Sequence, residues 1–189
     1  MTRLLIVYGT EEGQTAKIAT RIGEVARGKG YSVDVYNAKN APRSLSFDDV
    51  AAVVVGASLH AGRYEGYLRN WVKAHRADLE RVPSFFYSVS LTSSLSTPES
   101  QAQVERCVDQ FVRETGWKPP TVAYLAGALP YTRYNVVKRF VMRMIAKSVG
   151  GPTDTSRDYE FTDWDAVTHF AEEVLAAMPT SAPRGVLLC

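Results

Sequence analysis

The residues whose types and spacing carry the clearest chemistry are Thr10-Glu11-Glu12-Gly13-Gln14-Thr15. They follow the apolar run Leu4-Leu5-Ile6-Val7 and open into a stretch with Ile18, Ala19, Ile22, Val25 and Ala26 on one helical face. A strand that stops in such a loop and turns into a helix presents backbone N–H groups without intrahelical partners, at the positive end of the helix dipole. That arrangement is a phosphate site. The hydroxyls of Thr10 and Thr15 add donors, and Gly13 lets the backbone approach closely. The loop holds no lysine, so it is not a Walker-type nucleotide site, and it lacks the G-x-G-x-x-G of a dinucleotide fingerprint. A single phosphate monoester suits it better.

The elements that must position this loop are those of an alternating α/β chain. Leu4–Tyr8 reads as a buried parallel strand, a short apolar run without alternation. The helix from Thr15 ends near Gly28 and Gly30. Ser32–Tyr36 alternates and reads as an edge strand, Asn37–Ser46 as a loop, and Ala51–Ala57 as the clearest buried strand. A helix carrying Leu68, Trp71 and Val72 on one side follows, then a strand at Ser84–Val89. Leu91–Ser100 reads as a Ser/Thr-rich loop, and the next helix places Val104, Cys107, Val108, Phe111 and Val112 inward. Thr121–Ala126 is the fifth strand. Two helices close the chain, at Asn135–Val149 and Trp164–Met178, with Thr162 and Asp165 resembling a capping box and Trp164 anchoring the last helix in the core. Five strands alternating with helices imply a parallel sheet with right-handed crossovers, a three-layer α/β sandwich with helices on both faces. The expected organisation is one domain over residues 1–178, with a frayed tail over 179–189.

In an open parallel sheet, ligands bind beyond the carboxyl ends of the strands, where the strand order switches. This makes candidates of Ser58, Leu59, His60, Gly62, Arg63 and Tyr64 after the third strand, Ser88, Val89, Ser90 and Leu91 after the fourth, and Gly127, Ala128 and Leu129 after the fifth. With the Thr-x-x-Gly-x-Thr loop, this ordered set resembles the flavodoxin superfamily. More narrowly it resembles the flavodoxin-type, menaquinone-dependent protoporphyrinogen oxidases, to about Met178. The matching segments include Gly56-Ala57-Ser58 with Gly62 and Tyr64, Phe86-Tyr87-Ser88-Val89, Ala126-Gly127-Ala128-Leu129 with Tyr131 and Tyr134, Gly150-Gly151-x-Thr153-Asp154-Thr155, and Tyr159-x-x-Thr162-Asp163-Trp164.

The resemblance implies non-covalent FMN, its phosphate cradled by Thr10–Thr15 and its ring flanked by Ser58–Tyr64 and Ser88–Leu91, with Gly127–Leu129 nearby. The flavin supplies the redox chemistry and the protein positions and tunes it. His60 or Arg63 would offer a cation near the ring, although an exposed loop residue and a surface ion pair are the plain alternatives. Tyr64 would either cover a ring face or pack in the core. The implied activity is dehydrogenation of protoporphyrinogen IX with a quinone as acceptor, in haem biosynthesis. The alternatives are an electron-carrying flavodoxin and an FMN-dependent quinone or small-molecule reductase. A net charge of +2 and the lack of an aromatic in Ser88–Leu91 weigh against the carrier. The chain departs from the family at His60, where arginine is frequent, and in Leu91–Glu99, which has no cation. The propionates of a porphyrinogen would then need Arg63, Arg133 or Arg139, unless the substrate differs.

The net charge is too small to imply nucleic acid, and Cys107 and Cys189 form neither a metal framework nor a C-x-x-C motif, which suits a cytoplasmic, reduced chain. No signal peptide is expected before the first strand, and no apolar run approaches the ~20 residues of a membrane span. His75 and His169 read as structural or surface residues and Asp154 as a turn residue. Asn135–Val149 has Val136, Val137, Phe140, Val141, Met144 and Ile145 on one face and Lys138, Arg139 and Arg143 largely opposite, after Arg133. That pattern predicts a sheet-covering helix with a solvated basic face. The alternative is peripheral contact with the inner face of a cell membrane, apolar residues dipping in and cations meeting headgroups.

Overall fold

In a computed structural model the described residues are 3–178, apart from 43, 96, 149 and 150. The expected tail and Gly150 of the Gly-Gly pair lie outside them, as does Val149, the expected end of the basic helix. The side chain of Ile145 is likewise not described. Five parallel strands form the sheet: β1 (Arg3–Tyr8), β2 (Ser32–Asn37), β3 (Val50–Ser58), β4 (Ser84–Ser90) and β5 (Thr121–Ala126), in the order β2-β1-β3-β4-β5. The order reverses direction between β1 and β3, so the crevice of the fold opens at their carboxyl ends. A second, two-stranded antiparallel ribbon pairs β6 (Ala128–Leu129) with β7 (Tyr159–Glu160), elements too short to leave a periodic signal.

Alternation along the central strands feeds two cores. Leu4, Ile6, Ala52, Val54, Phe85 and Tyr87 point to one face, where α1 (Gln14–Gly28) covers them with Ile18, Ala19, Ile22 and Ala26. A further helix completes that layer with Val167, Phe170 and Val174. Leu5, Val7, Val53, Val55 and Phe86 point the other way, against Leu68, Trp71 and Val72 of α2 (Gly66–Ala74), Leu79 of α3 (Arg76–Arg81) and Val108 and Phe111 of α4 (Pro98–Thr115). Within this second core Phe86 stacks on Phe111 at 4.9 Å and meets the Trp117 edge at 6.1 Å. Each such side chain, fully buried, contributes about 1.5–3 kcal/mol.

Helix α4 starts earlier than the sequence pattern indicates. Thr97 caps it by accepting from Ser100 N, Pro98 takes the first turn, and Ser100 caps back, so the expected loop at Leu91–Ser100 shrinks to a single helical turn at Thr92–Ser94 and a short connection. α5 (Val136–Ser148) and α6 (Trp164–Ala176) close the chain. The cap of α6 is Asp163, accepting from Asp165 N and Ala166 N, not the expected Thr162–Asp165 box. Thr162 turns inward, donating to Ala126 O at 2.8 Å and accepting from Gln14 Nε2 at 2.8 Å, which ties α1 to the end of β5. Trp164 is only half-buried and donates to Glu160.

The largest difference concerns α5. Its apolar face points away from the protein: Val136 is 81% exposed, Val137 74%, Phe140 64% and Met144 55%. The opposite side packs on the fold through Met142 and Ala146, in a satellite cluster with Leu129, Tyr131 and Tyr134. Lys138 reaches Glu12 at 3.0 Å, and the Arg139 guanidinium donates to the carbonyls of Tyr131 and Tyr134. The sheet faces are already filled by the other helices. The expectation of a sheet-covering helix with a solvated basic face is therefore wrong for this element. Two of its cations face the protein and its apolar stripe is free.

Candidate flavin site

The phosphate loop begins where β1 leaves the sheet. Gly9 N donates to Gly56 O, and Tyr67 of α2 brackets Thr10, accepting from Thr10 N at 2.8 Å and donating to Thr10 O at 3.1 Å. Gly13 caps α1 in the left-handed region at φ 96, a conformation that a Cβ would strain, and no side chain caps the helix. Its first N–H groups are therefore free of side-chain acceptors. Thr15 is fully buried and its hydroxyl has no hydrogen-bond partner among the described residues. An unsatisfied buried hydroxyl costs about 1–3 kcal/mol unless something supplies a partner. A phosphate ester oxygen at this helix terminus would do so, and the cradle fits one.

The remaining loops enclose a cleft of about 270 Å³ beside it. Thr10, Glu12 and Gln14 form the end next to α1, and Ser58, Leu59, His60, Ala61 and Gly62 form one wall. Val89, Ser90, Leu91 and Thr92 lie opposite, with Gly127 and Ala128. The wall after β3 is a two-residue hairpin, closed by His60 N to Arg63 O at 2.9 Å and Arg63 N to His60 O at 3.0 Å. Ala61 at its tip has φ 48, the one non-glycine residue with positive φ among the described residues, at a cost of about 1–2 kcal/mol. Strain of this kind gathers where a backbone must face a ligand.

Several candidates lie elsewhere. Tyr64 is 4% exposed, packs edge-on to Phe86 and Phe111, and bonds Ser88 Oγ at 2.8 Å. It therefore belongs to the core and covers no ring face, and burial pushes its phenol well above the usual range. Ser88 is fully buried with it, because β4 is covered on both faces and Ser88 shares the Phe86 side, where Tyr64 packs. Leu129 is buried in the satellite cluster. Arg63 and Glu11 sit in a shallower depression outside the cleft, and Arg63 forms no ion pair among the described residues. Three lining residues escaped the sequence reading, Thr92 of the helical turn after β4, Gln103 of α4 and Met142 of α5. All three come from helical segments and not from strand ends.

The electrostatics centre on the two acidic loop residues. Glu12 accepts from Tyr134 OH at 2.7 Å and pairs with Lys138, while Glu11 lies 3.2 Å from His60 Nδ1 and 3.8 Å from Lys138 Nζ. The cation missing from the loop thus arrives from α5. Glu65, the residue before α2, receives the Ser58 hydroxyl on Oε1 and leaves Oε2 buried without a partner. Burial lifts its carboxyl above the ordinary range, and the Ser58 bond only partly offsets this.

The flavodoxin domain family matches residues 5–156. The chain belongs to the flavodoxin domain family. It is 35% identical over 173 residues to the protoporphyrinogen IX dehydrogenase [quinone] of Escherichia coli (strain K12), covering 91% of this chain and 94% of that protein. It is 34% identical over 182 residues to the protein of the same name from Leishmania major, covering 96% and 78%. Oxidised flavodoxin 1 from Bacillus cereus shares the fold, with a TM-score of 0.56 at 11% identity over 94% of this chain and 99% of that one. Membership of the flavodoxin family makes FMN the cofactor. In this flavodoxin-family chain the orphan Thr15 hydroxyl and the uncapped α1 would hold its phosphate. Leu59, Leu91 and Ala128 would contact the ring, leaving Ser58 and His60 as the polar groups facing what binds beside it.

Proposed function

We propose that this chain is an FMN-dependent dehydrogenase that oxidises protoporphyrinogen IX and passes the electron pairs to a quinone, in haem biosynthesis. The observation that carries this reading is the 35% identity, over 94% of its length, to a protein named for that reaction. The cleft supports it in that Leu59, Val89, Leu91, Ala128 and Met142 offer apolar surface for a flat hydrophobic macrocycle beside polar groups such as Ser58 and His60. Arg139 is taken up by backbone carbonyls, which leaves exposed Arg63 and Arg133 as the cations that would meet the propionates. FMN supplies a hydride acceptor. The chain supplies orientation, exclusion of water and a destination for the proton.

The reading extends to where the protein works. No helix among the described residues is long and apolar enough to cross a membrane. The support for peripheral contact is α5, whose outward face carries Val136, Val137, Phe140, Val141 and Met144 and whose sequence has no acidic residue. Arg143 and Lys147 are exposed on the same helix. Apolar residues flanked by cations suit the anionic inner face of a cell membrane, the location of a lipid-soluble quinone. Met142, on the inner side of α5, lines the cleft, so that a single helix separates the cleft from the outward apolar face. The test is anaerobic reduction of the FMN-loaded protein by protoporphyrinogen IX, with reoxidation by a menaquinone analogue presented in anionic vesicles.

A further inference from the structure

Ser58, His60 and Glu65 form a connected set that the cofactor does not require. His60 Nε2 lies 3.1 Å from Ser58 Oγ, and the Ser58 hydroxyl donates to Glu65 Oε1. On the other side of the ring His60 Nδ1 faces Glu11 Oε2 at 3.2 Å. Ser58 and His60 line the cleft, Glu65 lies beneath it with Oε2 unpartnered, and the Glu11 side chain is 55% exposed. An imidazole is thus strung between a buried carboxylate, reached through a hydroxyl, and a solvent-facing one. We propose that His60 is the base that takes the substrate proton in the cleft, and that Glu65, acting through Ser58, positions it and holds the counter-charge. This rests on the dehydrogenase reading above.

The balance of each two-electron step is simple. A methylene C–H of the porphyrinogen breaks, and its electron pair leaves as hydride to the bound flavin. A pyrrole N–H breaks, its electrons stay in the newly conjugated system, and its proton forms an N–H bond at His60 Nδ1, since Nε2 already donates to Ser58, whose own hydroxyl is given to Glu65. With Nε2–H directed at Ser58 Oγ and Nδ1–H at Glu11, both ring nitrogens donate, as an imidazolium requires. The proton can also pass inward, Nε2 to Ser58 and Ser58 to Glu65, which leaves a neutral imidazole and a neutral carboxyl. The proton leaves by way of Glu11 to solvent. Lys39, Arg63, Tyr67 and Arg69 border Glu65 in the adjoining depression, Tyr8, Tyr64 and Tyr87 lie nearby, and Lys138 lies behind Glu11. Arg69 is paired with Glu114, and Lys39 sits over the Tyr67 ring, so neither replaces Glu65 as the partner of Ser58.

The test is an NMR titration of the full-length protein, with and without FMN, using His75 and His169 as internal references. Glu65→Gln is expected to lower the His60 midpoint by about one pH unit, and Ser58→Ala to do the same, with both references unmoved. A His60 midpoint unchanged in Glu65→Gln and Ser58→Ala, with both folded by near-UV circular dichroism, overturns the linkage. In stopped flow, His60→Gln is expected to slow flavin reduction by porphyrinogen about a hundredfold, with little change in substrate KM and loss of the acid limb of the pH profile. Reduction at the wild-type rate with an unchanged profile overturns the base assignment. Failure of the wild type to be reduced by porphyrinogen overturns the dehydrogenase reading instead, and is recognisable because the His60–Glu65 linkage persists in the titration.

Discussion

At the scale of single residues, Thr15 is the sharpest probe of the cofactor site. Its buried hydroxyl has no partner among the described residues, so Thr15→Val removes an unpaired polar group at nearly constant shape. The flavin-free protein is expected to gain about 1 kcal/mol in a denaturant titration, while FMN affinity falls about tenfold or more by fluorescence quenching. A hydroxyl that mattered only for folding would give the opposite pattern. Tyr64 behaves in the reverse way. Tyr64→Ala opens the aromatic cluster with Phe86 and Phe111 and is expected to cost about 3–5 kcal/mol of stability, read by the same titration. The turn from β1 into α1 was legible in the sequence because a strand, a Thr/Gly loop and a helix are contiguous there. The placement of Tyr64 and Ser88 was not, because strand-end proximity says nothing about which side of the sheet a residue faces.

At the scale of elements, the sheet and its helices follow from patterns that periodicity reports well. Continuous apolar runs made β1, β3 and β4, and spacing of three and four made α1, α2 and α4. What periodicity leaves open is which way an amphipathic helix turns. Helix α5 has the pattern of a core-facing helix, yet its apolar stripe faces outward because Lys138 and Arg139 find partners in Glu12 and the carbonyls of Tyr131 and Tyr134. Glu12 is remote in the chain and only assembly brings it to Lys138, while Tyr131 and Tyr134 directly precede the helix but their carbonyls leave no mark in a side-chain pattern. Gln103 and Met142 escaped notice for the same reason. Val137→Glu with Phe140→Glu is expected to leave the melting temperature nearly unchanged, since both sites are exposed, and to abolish co-flotation with anionic vesicles. Between sheet and helix, Gly56 admits Tyr87, whose hydroxyl donates to Thr15 O at 3.0 Å. A Cβ at Gly56 would lie 1.9 Å from Tyr87 Cζ, so Gly56→Ala must displace that tyrosine from α1. The expected loss is at least about 1–3 kcal/mol, measured by thermal melting, with weakened FMN binding alongside it.

At the scale of the whole molecule, pH acts in two directions. Glu160, bonded to Lys17, is held below its ordinary range, so its contribution is complete above the unfolded value and is lost as pH falls through the folded one. Glu65 has the opposite sign: burial raises it above 4.5, so it costs stability as pH climbs from there through its folded value. The melting temperature of Glu65→Gln relative to wild type is therefore expected to rise over that window and then level. These carboxylates tune a molecule whose architecture joins a helix terminus without a side-chain cap, a cleft at the strand ends and an outward apolar helix in one small fold. The most direct measurement is anaerobic stopped-flow of the FMN-loaded protein with protoporphyrinogen IX, followed by a menaquinone analogue. The account predicts bleaching of the flavin by the porphyrinogen and prompt recovery of its colour with the quinone. A flavin left oxidised by porphyrinogen, yet readily reduced by a nicotinamide- or ferredoxin-linked reductase, would contradict it.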